Sequence, residues 1–423
     1  MFGTKTVRIM LSAIGVLAGA GALQASIPGC SGVTPPTVSV SGGYLWKNGQ
    51  HFILRGLQIR GFVSALQVSN DNATWSAAHP TSPNASGVWA VDAAAQGAYG
   101  DTELAMASSW DANVIRIQVS QPSLDPNDTE TDLEGNPLYS TSYNYQKAVV
   151  NAVNKARCNG FVVIVSMQDE KNSGETNHQA LPTAATQRAW NGLLSAFGGQ
   201  SDVMFEIYNE PSLSDTSMNW ISWAHAGQTS YDNTYGNPNG WFGMQKMLDY
   251  MRSNGASNNV LIMDGIQEAA TLDGVPGLTN PPVDSSANAL YAVHPYLRGG
   301  TTSQYDAEFR TVSPLAYPVI GTEWSAGAYD DPTGGIGLEG QPYDMAVQAL
   351  NYFAQYNIHI VAGAFDVPGI MTQDISSWTP TNYDNYSTEE SNPDTLDNAG
   401  LLVQKLFQNK YNVTLVDSDG VTP

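Results

Sequence analysis

The sequence is poor in charge, and above all in basic side chains. Only 13% of its 423 residues are charged, and 17 basic residues face 39 acidic ones, which gives a formal net charge of -22. A surface this acidic repels phosphate backbones and anionic lipids, but it does not oppose a neutral polymer. Nucleic acid is therefore excluded as the expected partner.

Cysteine is almost absent, with Cys30 and Cys158 alone in the chain. Two cysteines are too few for a disulfide scaffold or a cysteine-rich metal site. They could form one bridge, because Cys158 follows a helical pattern that feeds the third predicted strand, at the end of the fold that the N-terminal hairpin should cover. The alternative is a buried free Cys158 with an unpaired or lipidated Cys30, and the sequence leaves both open.

Several motifs of other enzyme classes are also missing. No His-Glu-x-x-His run or cluster of His and Cys offers a transition-metal site, and neither a Gly-x-Ser-x-Gly elbow nor a glycine-rich phosphate loop is present. We therefore expect neither a metal nor a cofactor.

The N-terminus has the pattern of an export signal. Lys5 and Arg8 precede an uncharged stretch, 9–23, that is too short for a comfortable membrane span and has the order typical of a signal peptide. We predict a signal peptide over 1–25, with cleavage near Ala22 or Ala25, and a secreted monomer without a membrane span. Lipid anchoring through Cys30 is a weaker alternative, since Pro28 lies just before it.

The remaining chain alternates strand and helix patterns after a Pro- and Ser/Thr-rich linker over 26–40. Asn48-Gly49 between two apolar runs predicts a β-hairpin. Eight predicted strands begin near Ile53, Asn113, Phe161, Val203, Asn259, Ala289, Tyr317 and Ile358. Helical patterns cover 101–110, 143–157, 184–197, 243–254, 343–356 and 399–408, and none is legible between 264 and 289. Eight repeats predict an α/β fold, a (β/α)8 TIM barrel over 41–413 with a tail over 414–423.

Two of the predicted strands end in a glutamate. Residues 203–211 read Val-Met-Phe-Glu-Ile-Tyr-Asn-Glu-Pro, and 317–325 read Tyr-Pro-Val-Ile-Gly-Thr-Glu-Trp-Ser, so Glu210 and Glu323 each follow an apolar run. The carboxyl ends of barrel strands are where such folds do their chemistry. Two carboxyl groups facing each other there are what glycosidic cleavage requires, although barrel mouths also use carboxylates to cap loops.

These same residues carry a resemblance to a known family. The segment 205–211, the later Ile-Gly-Thr-Glu-Trp at 320–324 and the intervening His-Pro-Tyr at 294–296 resemble glycoside hydrolase family 5, the cellulase and mannanase family. The likeness extends from about Gly43 to Tyr411. It implies a catalytic TIM barrel with long loops at its C-terminal face, and an enzyme that hydrolyses O-glycosyl bonds of a polysaccharide or oligosaccharide.

The resemblance also implies roles for single residues. Glu210 would be the acid/base and Glu323 the nucleophile, while Arg116 would orient Glu323 and keep it ionised. The remaining positions would bind substrate: Asn209 at the sugar 2-hydroxyl, His294 and Tyr296 around the cleavage subsite, and Trp324 as a sugar-facing neighbour. Double displacement on a β-1,4-glucan is the leading expectation. A β-mannanase, another β-glycanase or a sugar-binding barrel without strong catalysis are the alternatives.

Two positions depart from the family pattern. Gln168 ends the third strand where the family usually has a His, and Phe365 stands in the eighth strand where a sugar-stacking Trp is usual. We expect Gln168 to bind a sugar hydroxyl with its amide. Tryptophans of the long loops are further candidates for sugar stacking, although each could instead pack its loop: Trp75, Trp89, Trp220, Trp223, Trp241 and Trp378.

Overall fold

The computed structural model describes residues 26–60, 62, 100–129, 139, 145–169, 179–296, 305–306, 309, 317–325, 343–366, 371–373, 377–381 and 399–415. The predicted signal peptide, Trp75, Trp89 and most of the predicted tail lie outside these residues. Within them, no helix has the length and apolar character needed to cross a membrane.

A small antiparallel sheet precedes the barrel. It consists of β1 (Val38–Ser41), β2 (Tyr44–Lys47) and β3 (Gln50–His51). Asn48 and Gly49 connect β2 to β3 with φ angles of 52° and 74°, as a two-residue hairpin turn requires, so the predicted hairpin is confirmed. The last three residues of the predicted linker, 38–40, belong to β1, which pairs along β2 and buries Val38.

Eight parallel strands close into a barrel, which confirms the predicted fold. Each begins within two residues of its predicted start. In chain order the strands are β4 (Arg55–Ile59), β5 (Val114–Ser120), β6 (Val162–Gln168), β7 (Val203–Glu206), β8 (Leu261–Asp264), β9 (Ala289–Val293), β10 (Val319–Trp324) and β11 (Ile360–Ala362). Hydrogen bonds join each strand to the next, and β11 pairs with β4 to complete the ring.

Helices connect the strands and cover the barrel. They are α1 (Asp101–Ser109), α2 (Gln121–Leu124), α3 (Tyr145–Cys158), α4 (Ala184–Phe197), α5 (Ser217–His225), α6 (Thr229–Tyr235), α7 (Met244–Ser253), α8 (Tyr343–Tyr356) and α9 (Gly400–Gln408). Three short helices that the sequence did not predict, α2, α5 and α6, lie within the loops after β5 and β7. Between β8 and β9 a short 3₁₀ turn and a left-handed turn at 267–269 replace a crossover helix.

The barrel interior divides into two halves of opposite chemistry. Because strand side chains alternate between the two faces of the sheet, every second residue points inward. The half near the N-terminal sheet, which we call the apolar half, contains Leu54, Val114, Val162, Ile164, Met204, Val260, Ile262, Leu290, Ala292, Ile320 and Val361. The half toward the carboxyl ends, the polar half, contains Gln58, Arg116, Gln118, Ser166, Gln168, Glu206, Asp264, His294, Thr322 and Glu323.

A disulfide bond joins Cys30 to Cys158, the last residue of α3, with Cα atoms 5.8 Å apart. The bridge that the topology permitted is therefore present. The bond occupies the Cys30 sulfur, the atom to which a lipid anchor would be attached. The bond ties the N-terminal segment to the helix that leads into β6, at the apolar end of the barrel.

Candidate active site

Arg116 is the centre of the polar half. It lies two residues after Val114 on β5, so the same inward face of the strand passes from an apolar to a charged side chain. Its guanidinium is fully buried and donates to five oxygens from β4, β6, β10 and the end of β7. The acceptors are Glu206 Oε2 (2.6 Å), Glu323 Oε1 (2.5 Å), Gln58 Oε1 (3.1 Å), Ser166 Oγ (2.9 Å) and Asn209 Oδ1 (2.7 Å).

A β-bulge brings Glu323 into the site. On β10, Gly321 pairs with Ile360 and Trp324 pairs with Ala362, so three steps along β10 match two along β11. The extra residue lets two successive side chains, Thr322 and Glu323, both face the interior. Regular alternation would have sent one of them outward.

Both oxygens of Glu323 are hydrogen-bonded. Oε1 accepts from Arg116 and from Gln118 Nε2 at 2.6 Å, and Oε2 accepts from the Tyr296 hydroxyl at 2.9 Å. Burial alone would raise the pKa of Glu323, but the positive charges of His294 and Arg116 outweigh it and hold that pKa below its ordinary value. Glu323 is therefore kept as a carboxylate.

Glu210 follows β7 in a left-handed conformation, with φ of 54°. Its backbone N–H donates to Asp264 Oδ2 at 3.1 Å, and its Oε1 lies 2.6 Å from His294 Nδ1. About a quarter of its side chain is exposed at the barrel mouth. Burial raises the pKa of Glu210, His294 opposes this, and the negative charges of Glu323 and Glu268 add to the rise. Glu210 is therefore the carboxyl group that tends to hold a proton.

The two glutamates face each other closely. An oxygen of Glu210, an oxygen of Glu323 and a nitrogen of His294 all lie within 4.8 Å of one another. One carboxyl group with a raised pKa and a second with a lowered pKa, this close together, form an arrangement that can donate a proton and supply a nucleophile at once.

A second pair of carboxyl groups lies deeper. An oxygen of Asp264 and an oxygen of Glu206 lie within 4.8 Å of each other, and two buried negative charges this close favour a proton on one of them. Burial and the charge of Glu206 raise the pKa of Asp264 well above its ordinary value, whereas Arg116 and His294 overcome burial and lower the pKa of Glu206. Asp264 therefore carries the proton, and Glu206 stays ionised beside Arg116.

His294 connects the two carboxyl pairs. Its Nδ1 contacts Glu210, and its Nε2 lies 3.1 Å from Thr322 Oγ1 and 3.7 Å from Asp264 Oδ2. Burial would lower its pKa, but Glu323 and Glu210 raise it well above the ordinary value. The positive charges of His294 and Arg116 thus match the negative charges of Glu323 and Glu206.

Two overlapping groups of three residues have potential metal-ligand atoms within 4.8 Å of one another. They are Glu206, Asp264 and His294, and Glu210, His294 and Glu323. Arg116 already donates to one carboxylate of each group. The guanidinium therefore supplies, inside the cluster, positive charge of the kind that a bound cation would bring.

Seven of the eight predicted site residues come together here: Arg116, Gln168, Asn209, Glu210, His294, Tyr296 and Glu323. Gln168 also makes a contact that the sequence did not predict, while its sugar contact stays a prediction. It is buried, and its Oε1 accepts from Asn209 Nδ2 at 3.0 Å, so it holds the asparagine in place through that oxygen.

The prediction that Trp324 faces the sugar is wrong. The ring is fully buried on the outside of the barrel and packs edge to face against Phe353 of α8, with centroids 6.0 Å apart. The bulge explains the difference, because it turns Glu323 inward and Trp324 outward.

Phe365 does not replace a sugar-stacking ring either. It packs against Trp110 and stacks on Trp378 at 5.1 Å, outside the barrel interior. The inward position at the end of the eighth barrel strand is Gly363, where a Cβ would lie 2.6 Å from Gln58 Oε1. Among the loop tryptophans inside the described residues, Trp220, Trp223 and Trp378 are buried and pack their loops.

Sequence reasoning missed six residues of the polar half: Gln58, Gln118, Ser166, Glu206, Asp264 and Thr322. Some signals were present. Glu206 interrupts an apolar strand two residues after Met204 and so had to face the same way, and Asp264 closes a third apolar strand with a carboxylate. Gln118 lies two residues beyond Arg116 on one strand face.

Comparisons with known proteins identify the family of the chain. A family model described as "Cellulase (glycosyl hydrolase family 5)" matches residues 77–364, more than half of the chain. No curated protein sequence matches at a significant level.

Solved structures share the fold at low sequence identity. A β-glucanase from Saccharophagus degradans superposes with a TM-score of 0.59 at 14% identity and covers 92% of this chain and 97% of its own. The catalytic domain of Thermobifida fusca endoglucanase Cel5A, in complex with cellotetraose, gives 0.55 at 18% identity over 88% and 97%. A β-mannanase from Streptomyces thermolilacinus gives 0.50 at 15% identity over 78% and 86%.

Proposed function

Because the chain belongs to glycosyl hydrolase family 5 and is thus a glycoside hydrolase acting on O-glycosyl bonds, we propose that it is a retaining, endo-acting β-glycanase. We assign it a plant-type polysaccharide substrate, with a β-1,4-glucan first. The observation that carries the proposal is the pair Glu210 and Glu323, whose oxygens lie within 4.8 Å across the barrel mouth.

The separation of the two carboxyl groups supports retention. Retaining glycosidases hold them about 5 to 5.5 Å apart, whereas inverting enzymes need about 6.5 to 9.5 Å to admit a water. Oxygens of Glu210 and Glu323 that lie within 4.8 Å of each other favour the shorter, retaining separation. Glu323 then attacks the anomeric carbon while Glu210 gives its proton to the departing glycosidic oxygen, and a glycosyl ester forms on Glu323.

Hydrolysis of the ester reverses the roles. Glu210, now ionised, takes a proton from a water molecule as that water attacks the anomeric carbon, and the bond to Glu323 breaks. The opposite pKa shifts of the two groups support this assignment. Tyr296 stabilises the charged form of Glu323, and Asn209, held by Arg116 and Gln168, is placed to bind the sugar 2-hydroxyl.

The choice of polysaccharide rests on the family description, since the similar structures include β-glucanases and a β-mannanase. Gly363 leaves the end of the eighth strand without an aromatic ring, which makes a mannan or a branched glucan a substrate worth equal testing. The second candidate is therefore a β-mannanase built on the same catalytic pair.

The direct test measures reducing ends released from β-glucan, mannan, xyloglucan and xylan, together with the anomeric configuration of the first product by NMR. We expect release from one β-1,4-linked polymer with the β configuration retained. A Glu210→Gln variant serves as the control. Adsorption to insoluble polysaccharide without release of reducing ends would favour the sugar-binding barrel, and inversion would contradict the double displacement.

We also propose that the protein is exported and acts outside the cytoplasm as a monomer. The signal-peptide pattern at 1–25 and the Cys30–Cys158 bridge both support export, because disulfides persist in oxidising compartments. N-terminal sequencing of protein recovered from a secreting host tests this location, and light scattering tests the oligomeric state.

A further inference from the structure

Gln118 touches the proposed nucleophile, although neither the motif nor the family pattern drew attention to it. It lies on β5 two residues after Arg116 and is 3% exposed. Its Nε2 donates to Glu323 Oε1 at 2.6 Å. The amide nitrogen must be the contacting atom, because an ionised carboxylate can only accept.

The two oxygens of Glu323 are held unequally. Oε1 accepts from a guanidinium and an amide, whereas among the described residues Oε2 accepts from Tyr296 alone. Oε2 is also the oxygen that lies 3.7 Å from His294 Nδ1, on the side of Glu210. The less restrained oxygen is therefore the one that faces the acid/base across the mouth.

The oxygen of the Gln118 amide lowers the stability of the fold. Its Oε1 is buried and has no hydrogen-bond partner among the described residues. A buried acceptor without a partner destabilises a fold, and an apolar side chain of the same shape avoids that cost. A glutamine at this position is thus hard to explain by stability alone.

We propose that Gln118 is a positioning residue that anchors Oε1 of Glu323, so that Oε2 attacks the anomeric carbon, and that stabilises the Glu323 carboxylate when it departs in the second step. This inference rests on the proposed function. In the first step a bond forms between Oε2 and the anomeric carbon as the glycosidic bond breaks and its oxygen takes the proton of Glu210.

The second step is where Gln118 matters most. Water bonds to the anomeric carbon and gives a proton to Glu210, while the electron pair of the breaking ester bond returns to Glu323. Negative charge then reappears on a carboxylate whose Oε1 already has two donors in place. Without the amide donor, the ester should break more slowly and the glycosyl-enzyme should accumulate.

Glu323 contacts the neutral amide of Gln118 and also faces several charged or titratable groups. They are Arg116 from β5, Glu206 and Glu210 from β7 and the loop after it, and His294 and Tyr296 from the end of β9. All of them remain in a Gln118→Met variant, which keeps the length of the side chain and removes only the amide. Any change in the titration of Glu323 is then due to the lost donor.

The experiment compares wild type, Gln118→Met and Gln168→Met with aryl β-glycosides of an activated phenol, across pH. For Gln118→Met we expect kcat to fall about 10-fold, with KM falling too, and a burst of one phenol per enzyme. The acid limb of kcat/KM should move up by about 0.5 to 1 pH unit, since the ionised form loses a donor. The melting temperature should stay level or rise.

Gln168→Met is the matched control. It removes an equally buried amide at the end of the neighbouring strand, but that amide contacts Asn209 instead of Glu323. It should slow turnover without moving the acid limb. If Gln118→Met lowers the melting temperature and leaves the acid limb in place, Gln118 is structural and the proposal is overturned. Gln118→Asn, whose amide is one methylene too short, repeats the test should the first variant not fold.

A readout without turnover separates this inference from the proposed function. Carbon-13 NMR of labelled glutamate follows the titration of the Glu323 carboxyl group in both proteins. A raised pKa in Gln118→Met supports the anchoring contact even if no polysaccharide is cleaved, and an unchanged one refutes it. Failure of wild type to cleave any glycoside, with the titration shifted, would refute the proposed function and with it any effect of Gln118 on turnover, while the anchoring contact would stand.

Discussion

The apolar and polar halves of the barrel interior lie next to each other on the same strands. On β5 the inward face changes from Val114 to Arg116 in one step of the pleat, and on β7 it changes from Met204 to Glu206. One backbone geometry thus supports two environments. The position of a residue along a strand, rather than the strand itself, decides whether its side chain contributes to packing or to chemistry.

The two halves differ in how they contribute to stability. Burial of apolar surface stabilises the fold by about 25 cal/mol per Å², so each residue of the apolar half contributes directly. The buried ions of the polar half lose hydration, and their pairing offsets this loss without a clear surplus. We therefore expect changes in the polar half to affect rate above all, and changes in the apolar half to affect only stability.

The largest expected effect is on rate, from Glu323→Gly. Removal of the nucleophile should lower kcat at least about 10⁴-fold, while the circular dichroism spectrum remains that of the wild type. Added azide fills the vacated space and should restore part of the rate with an inverted product. A restored rate with a retained configuration would refute Glu323 as the nucleophile.

Arg116→Met should lower both the reaction rate and the stability, so it separates the two halves of the barrel least clearly. The change leaves Glu206 and Glu323 without their buried cation, and we expect a loss of about 3 to 5 kcal/mol in the free energy of unfolding, together with loss of activity. Denaturant titration measures the first effect.

Ile164→Val is the control for this variant, because Ile164 is paired with Arg116 in the sheet but lies in the apolar half. It should cost about 1 kcal/mol and leave kcat/KM unchanged. A large loss of rate in Ile164→Val would show that the two halves are not separable.

Cys158→Ser tests the far end of the barrel. The bond closes a segment of 128 residues, and its loss should cost about 2 to 4 kcal/mol by relaxing the unfolded chain. Activity at room temperature should not change, because the polar half lies at the opposite end. Cys30→Ser should give the same loss, and a larger combined loss in the double variant would mean that the thiols act separately. Thiol counting on denatured wild type should find none free.

The effect that depends most sharply on pH concerns Asp264→Asn. The folded state raises the pKa of Asp264, so it retains a proton that the unfolded chain releases, and this contribution is lost as pH rises above the unfolded value of about 4. An asparagine side chain can accept from the Glu210 backbone N–H and donate to Glu206, and it does not titrate. The variant should therefore gain on wild type by up to about 1.4 kcal/mol per pH unit above that value, and show no gain near pH 3. An equal difference at both pH values would contradict the assignment of the proton to Asp264.

The sequence predicted the barrel well because an apolar run bounded by turn residues recurs eight times along the chain. It identified Glu210 and Glu323 because each closes such a run. Gln58 could not be found in this way. For Gln118, periodicity indicates that it shares the inward face of Arg116, but it does not show the partner across the barrel. Asp264 closes a run as clearly as Glu210 does, but no family motif directed attention to it.

The errors also have physical causes. Phe365 was placed in the site because it is the aromatic residue near the end of the last strand, whereas only Gly363 fits beside Gln58. The sequence did not predict β1, because a strand of four residues has too short a pattern to recognise. The orientation of Trp324 was predicted wrongly because no residue type in β10 indicates that the strand contains a bulge.

That bulge acts as a phase shift in β10. The side chain of Ile320 points into the barrel. If side chains alternated strictly from there, Glu323 would point toward α8 and Trp324 into the barrel mouth. The single extra residue exchanges the two. The same six amino acids in a regular strand would thus give a barrel of equal composition in which an indole occupies the place of the nucleophile.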